Sequence, residues 1–320
     1  MKKGWIIFAV ILIIAGVAVF MGAYASVGYD ISKLSTAKAE TNTYTPEGEF
    51  SKIEVDSHTA DVIFKPAEDG KLSVVCVELE KVKHTIAIED GTLKITSEDN
   101  RQWMDYIGFF WGKLSITVYL PDATYESLRI NVRTGDVIVP ENFSFGKVLI
   151  STSTGDLECY ASGSELVSLY TSTGTITFKN IHTAKVEVGA GTGDVFARSI
   201  VCDGDFNCKG GTGYASIEDV TCANFTCKTG TGDIRLKNVV AAEKMTLKCS
   251  TGEITFQRCD ASEIKMDTST GDISGTLLTE KTFVCGTGTG RVRVPQTTSE
   301  HKCEATTHTG DITISIENDR

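Results

Sequence analysis

Three sets of residues in this 320-residue chain have the types and spacing that chemistry requires. The first is a column of acids. Asp136, Asp156, Asp194, Asp233, Glu253, Asp272 and Asp311 each follow a glycine that recurs every 19 or 20 residues. Stacked carboxylates can ligate Ca²⁺, and a suitably spaced pair can hydrolyse a glycosidic bond. Asp233, Glu253 and Asp272 are the one run of three acids in consecutive repeats among the later copies, so they are the candidate cation ligands. Elsewhere in the later repeats Thr175, Tyr214 and Arg291 interrupt the series, which limits like-charge contact between neighbours. Asp beside a turn glycine also satisfies backbone groups, and that reading competes with catalysis or metal binding.

The second set is ten cysteines. Cys208, Cys227, Cys285, Cys303, Cys159 and Cys259 fall where other repeats carry Ile, Val, Leu or Phe, so they read as small buried hydrophobes. Cys202 and Cys222 both lie nine residues after a repeat glycine. Stacking brings them together, and they are the candidate disulfide in an exported chain. There is no C-x-x-C, and the five histidines have no ligand spacing to the cysteines. No zinc site and no other cofactor is expected. The third set is aromatic: Trp103, Tyr106, Phe109, Phe110 and Trp111 crowd one short non-repetitive segment. Exposed, they are candidate partner-binding residues; buried, they plug the end of a stack.

Other chemistry is excluded on simple grounds. G-x-S-x-G, H-E-x-x-H and P-loop motifs are absent. The net charge is −11, and the first 25 residues carry only Lys2 and Lys3, so the remainder is more acidic still. Such a body repels phosphate backbones, and nucleic acid is not an expected partner.

The elements that position these residues follow from the repeat. Thr-Gly pairs occur with Gly at 135, 155, 174, 193, 213, 232, 252, 271, 290 and 310. Apolar residues stand seven and five before each Gly and two after it; four after it, only Gly275 breaks the rule. Spacing of two on each side of the Gly describes strands with one buried face. The Thr before the Gly shares the parity of the core positions and is expected to point inward or cap the turn. A unit this short cannot bury its own apolar face, but stacked neighbours can. The expected fold is all-β: a β-solenoid of about ten coils over 128–316, with an elongated two-sheet stack of hairpins as the alternative.

Upstream, residues 50–127 hold a degenerate copy (Ile53, Val55, Ala60, Val62, Phe64) and a section expected to be antiparallel and capping. Asp90-Gly91 marks a hairpin there. Residues 26–49 read as a polar tether. Residues 1–25 read as a transmembrane signal-anchor helix, because Trp5 to Tyr24 is 20 residues without charge. Lys2 and Lys3 keep the amino terminus cytoplasmic and export the body. Ala23-Tyr24-Ala25 also resembles a signal-peptidase site, so cleavage is the competing expectation.

The opening I-E-V-D…A-D-V-I-F, the D-G-T-L-K-I hairpin, the S-I-T-V-Y-L-P strand and the repeated S-T-G-D-I resemble the bacterial "putative adhesin" domains of unknown function, which are related to the toastrack proteins of the cell envelope. The resemblance spans about residues 50–316. It implies a β-strand repeat domain, often membrane-tethered and sometimes linked to envelope-stress systems, with no catalytic residues to carry over. The expected function is a non-catalytic, surface-displayed structural or binding module, its partner a protein or glycan of the envelope. A carbohydrate-active β-helix and an envelope-stress accessory acting through another membrane protein are the alternatives.

Overall fold

The computed structural model describes residues 2–35, 37–103, 110 and 112–317. From Lys52 onward the body is a β-solenoid of mostly parallel strands. Each layer has one strand before the repeat Gly and one after it. Ser144–Thr154, for example, pairs in register with Thr124–Thr134 on one side and Ser162–Thr173 on the other. Beyond its glycine, Leu157–Cys159 pairs with Val137–Val139 and Ile176–Thr183. Layers are therefore spaced by about 4.8 Å. The inward columns form one continuous core, including Val148, Ile150, Leu157 and Cys159 in this layer. Rings stack along it, with Phe178–Phe206 and Phe206–Phe225 centroids 6.2 and 5.0 Å apart.

The repeat glycines are required twice over. Their φ angles lie between 130° and 150°, which L side chains rarely adopt. A Cβ on Gly155 would also lie 2.0 Å from the carbonyl oxygen of Gly135 in the adjacent layer. A second bend falls six residues after the glycine in five consecutive layers. Asn180, Ser199, Asp219, Asn238 and Arg258 there have φ of 52–58°. One left-handed residue changes the parity of the strand, so Phe178 and Ile181 both face inward.

The Thr before each glycine does not point inward: it is exposed in every layer. The glycine's bend turns that residue out of the strand plane. The buried threonine lies two residues earlier. Thr171, Thr268 and Thr307 donate their hydroxyls to the carbonyls of Gly155, Gly252 and Gly271 at 3.1, 3.1 and 2.9 Å. Each bond ties one layer to the next.

Both ends of the stack depart from chain order. At the amino end, Lys52–Thr59 and Asp61–Pro66 lie against the first regular layer. Outside them lie Thr92–Asp99 and Ser115–Leu120, parallel to the repeats and forming one more layer. Only then come antiparallel strands: Val82–Glu89 on one sheet, Ser73–Leu79 and Ala39–Tyr44 on the other. The section expected to be antiparallel is thus partly a continuation of the solenoid. Residues 39–44, expected within the tether, are a strand of this cap; Thr41, Thr43 and Tyr44 suit a strand that covers Val74 and Cys76.

At the carboxyl end, Glu263–Thr270 pairs with Lys302–Thr309, and Thr282–Thr289 stacks outside that pair. The last repeat in sequence is therefore inserted beneath the penultimate one. The crossover into the outer layer carries Lys281, which is 1% exposed and lies 2.6 Å from the Asp260 carboxylate.

Lys2–Ser26 is one α-helix of 25 residues. Its Gly4–Ser26 stretch contains an 18-residue window of mean hydropathy 2.9 that is 0% buried among the described residues. At roughly 1.5 Å per residue it is long and apolar enough to cross a bilayer.

Candidate functional site

The column after the repeat glycine is a hydrogen-bonded ladder. Asp136 Oδ1 accepts the N–H of Asp156 at 2.8 Å, and Asp156 Oδ1 accepts that of Thr175 at 2.7 Å. Asp194, Asp233, Asp272 and Asp311 do the same for Tyr214, Glu253, Asp311 and Arg291. Asp61 begins the series by accepting from Asp136. The one-carbon side chain holds its carboxylate directly over the neighbouring amide. Of the three candidate cation ligands, Asp233 is occupied by the Glu253 amide and by Arg235 at 2.9 Å, and Asp272 by the Asp311 amide at 2.7 Å. Among the described residues they do not draw their ligand atoms into one cluster.

Cys202 and Cys222 do stand in consecutive layers, one step beyond the paired Val201 and Thr221. Both thiols are free and buried. They point apart, Cys202 Sγ toward the Ala184 carbonyl at 3.7 Å and Cys222 Sγ toward that of Val240 at 4.0 Å. Burial pushes the Cys222 thiol up to about 12 and raises that of Cys202 as well. Neither is poised as a nucleophile.

Of the five aromatic candidates, Tyr106, Phe109 and Trp111 lie outside the described residues. Trp103 is 74% exposed. Phe110 is half-buried, its ring lying where a side chain on Gly112 would be. Phe110 and Gly112 line a depression of about 550 Å³ at the amino end with His58, Leu79 and Arg101.

One group with ligand spacing was not visible as a motif. Cys76, Glu78 and His84 are buried together, their ligand atoms within 4.8 Å of one another. Cys76 and Glu78 share a strand face, and the following turn returns His84 beside them. Glu78 Oε1 accepts from Asn42 and Tyr44, each at 2.8 Å. Its Oε2 accepts the His84 N–H at 2.7 Å and lies 2.7 Å from His84 Nδ1. Burial alone would raise this carboxyl, but the bonds from Asn42, Tyr44 and His84 outweigh it and hold it below the usual range. With both oxygens doubly engaged, the cluster knots three strands of the cap without needing an ion. The sequence signal was C-x-E with a histidine six residues on, read across a turn.

The outer face of the solenoid carries a groove of about 680 Å³ over the layers of Gly174, Gly193 and Gly213. Its floor is unusually bare. Gly189 occupies a position that elsewhere holds Ser, Lys or Asp, and Gly191 and Gly211 one that elsewhere most often holds Ser, while Gly210 stands in the inward column of Thr171 and Thr229. Tyr170 forms one wall, 48% exposed, its ring resting where a Cβ on Gly189 would come within 3.2 Å. Ser168, Glu187, Asn207 and Lys209 supply polar groups. A second depression of about 360 Å³ continues past Ser168 and Tyr170 to Asn131, Arg129 and Asp56. The sequence signal was an aromatic in an outward column with glycine one repeat later.

These features define an elongated, mostly parallel β-solenoid with a polar, aromatic-walled groove along one face and an apolar amino-terminal helix. The chain belongs to the Toastrack DUF4097 family, which matches residues 50–211 and 201–320. Among solved structures it is similar to a "putative adhesin" from Bacteroides fragilis, at 16% identity over 88% of this chain and 97% of that one, TM-score 0.36. It is similar to a "putative adhesin" from Parabacteroides distasonis, at 11% identity over 88% and 98%, TM-score 0.43. A "putative lipid binding protein" from the same organism aligns at 16% identity over 75% and 95%, TM-score 0.43. These likenesses are too distant to carry function. No curated protein matches the chain.

Proposed function

We propose that this protein is a non-catalytic binding module displayed outside the membrane, and that its ligand is a glycan of the cell envelope lying along the Tyr170 groove. The observation that carries this reading is the half-exposed Tyr170 ring above a glycine floor, flanked by Glu187, Asn207 and Lys209. An exposed aromatic face with nearby donors and acceptors suits a sugar ring, which offers one apolar face and a rim of hydroxyls. The mixed charges suit a neutral or zwitterionic chain better than a polyanion. The amino-terminal helix is retained as a signal-anchor, with Lys2 and Lys3 on the cytoplasmic side.

The acids of the ladder support a non-catalytic role, because each Asp already serves an adjacent layer. The test is co-sedimentation of the full chain in detergent with insoluble envelope polysaccharide. Tyr170→Ala is expected to lose most of the retained protein, whereas Tyr119→Ala, outside the groove, retains it. Equal retention by wild type and Tyr170→Ala would overturn the assignment. Release of soluble sugar by the wild type would replace it with the enzymatic reading.

A further inference from the structure

The carboxyl end of the solenoid carries an edge with no protection against pairing. Thr282–Thr289 bonds to Lys302–Thr309 on one side and, among the described residues, to no strand on the other. Proteins guard such edges with charge. Among the strands that precede a repeat glycine, every other one carries at least one Lys, Arg, Asp or Glu, and Thr282–Thr289 carries none. Its core-facing Phe283, Cys285 and Thr287 are half-exposed, whereas Cys303 and Ala305, one layer in, are fully buried. Val284 on the outer face is 51% exposed.

The geometry points to a second copy of this chain as the occupant: two molecules join tip to tip by antiparallel pairing of Thr282–Thr289 with itself. A two-fold axis perpendicular to the sheet keeps core faces on one side. It sets outward Val284 against Gly286 or Gly288, and inward Phe283 against Thr287 or Thr289. The strand is bulky in its first half and small in its second, so it is complementary to its own reverse. The same registers carry Glu280 of each copy toward the turn bearing Arg291 in the other.

Continued head-to-tail stacking is disfavoured at this end. The companion edge, Val292–Arg293, is only two residues long and flanked by Arg291. Arg291 also ends the Asp ladder, since a guanidinium accepts no amide proton from a further layer. The pairing is therefore closed at two copies. The chain enters the solenoid at the opposite end, through Ala39–Tyr44, so the joined tips are the ends remote from the tether. Display of many copies on one surface would raise the effective concentration of tips. This inference does not depend on the groove.

The test uses the full chain in nanodiscs at one copy per disc, mixed with a short bismaleimide. Cys285 is the only half-exposed cysteine and the other nine are buried, so the reagent reports on this edge. The expected result is paired discs and a Cys285–Cys285 cross-link. Val284→Lys should abolish both, and Thr226→Lys, the same change on the outer face at mid-rod, should abolish neither. Tyr170→Ala should leave pairing intact while losing glycan, which separates the two readings. Discs that stay single while Cys285 is modified, or pairing that survives Val284→Lys, would overturn the inference, as would its loss in Thr226→Lys.

Discussion

At the amino end of the rod the outermost strands carry charge and enclose a saturated polar knot; at the carboxyl end the longer of the two outermost strands, Thr282–Thr289, is neutral and open. Lys83 on one amino-end edge pairs with Glu40 on the other at 3.2 Å, bridging the two sheets. Beneath them Glu78 gathers Asn42, Tyr44 and His84. At the far end, the buried charge is Lys281 with Asp260, and it fixes where the chain crosses over rather than closing the edge. A solenoid's middle layers are nearly interchangeable. Its ends decide where the stack stops and whether it stays alone.

The comparison breaks most sharply at Glu78. Glu78→Ala strands the buried His84 and the half-buried Asn42 and Tyr44, and the loss is expected to be about 3–5 kcal/mol. Hydrogen exchange should show it across residues 39–99, with residues 282–316 unchanged. Acid should act at the same end. A carboxyl held low in the folded state contributes stability above its unfolded pKa and loses it as pH falls through the folded value. Protection of the amino cap should therefore decline below about pH 4.3, and a cap that stays fully protected at pH 2 would refute the role given to Glu78.

The converse experiment is Lys281→Ala, which leaves Asp260 without its cation in a largely buried site. A loss of about 3 kcal/mol is expected, confined to the carboxyl layers, where limited proteolysis should cut between 278 and 301. If Glu78→Ala loosens the same region, the ends are not independent. The smallest effect sharpens the contrast with the middle. Asp194→Ala removes one inter-layer bond, to the Tyr214 amide, and should cost about 1 kcal/mol in a denaturant titration. Asp194→Asn keeps an acceptor on a side chain of the same length and should recover most of that loss.

Much of this molecule is legible residue by residue. Val167, Leu169, Ile176 and Phe178 lie in one layer, and all four face the core as their spacing requires. The orientation of the threonines was not legible, because parity counted through Thr-Gly misses the bend that turns Thr173 out while Thr171 stays in. The left-handed residue at Asn180 was hidden for the same reason: its position varies among Asn, Ser, Asp and Arg, with no common side-chain signal. The groove depends on side chains that are missing, and Gly189 acquires meaning only once Tyr170 is seen to lie beside it.

What the sequence determined by itself is the period, the inward columns and the glycine turns. These are set by local backbone geometry and by contacts between equivalent positions, so they repeat identically in any stacking order. What only the tertiary structure decided is that order. The repeats of Gly290 and Gly310 carry the same motif, and either fits above the layer of Gly271. The choice falls to non-local terms: the Lys281–Asp260 pair at the crossover and the charged Lys302–Thr309 strand placed inside. The neutral edge at the tip exists because that choice left Thr282–Thr289 outermost.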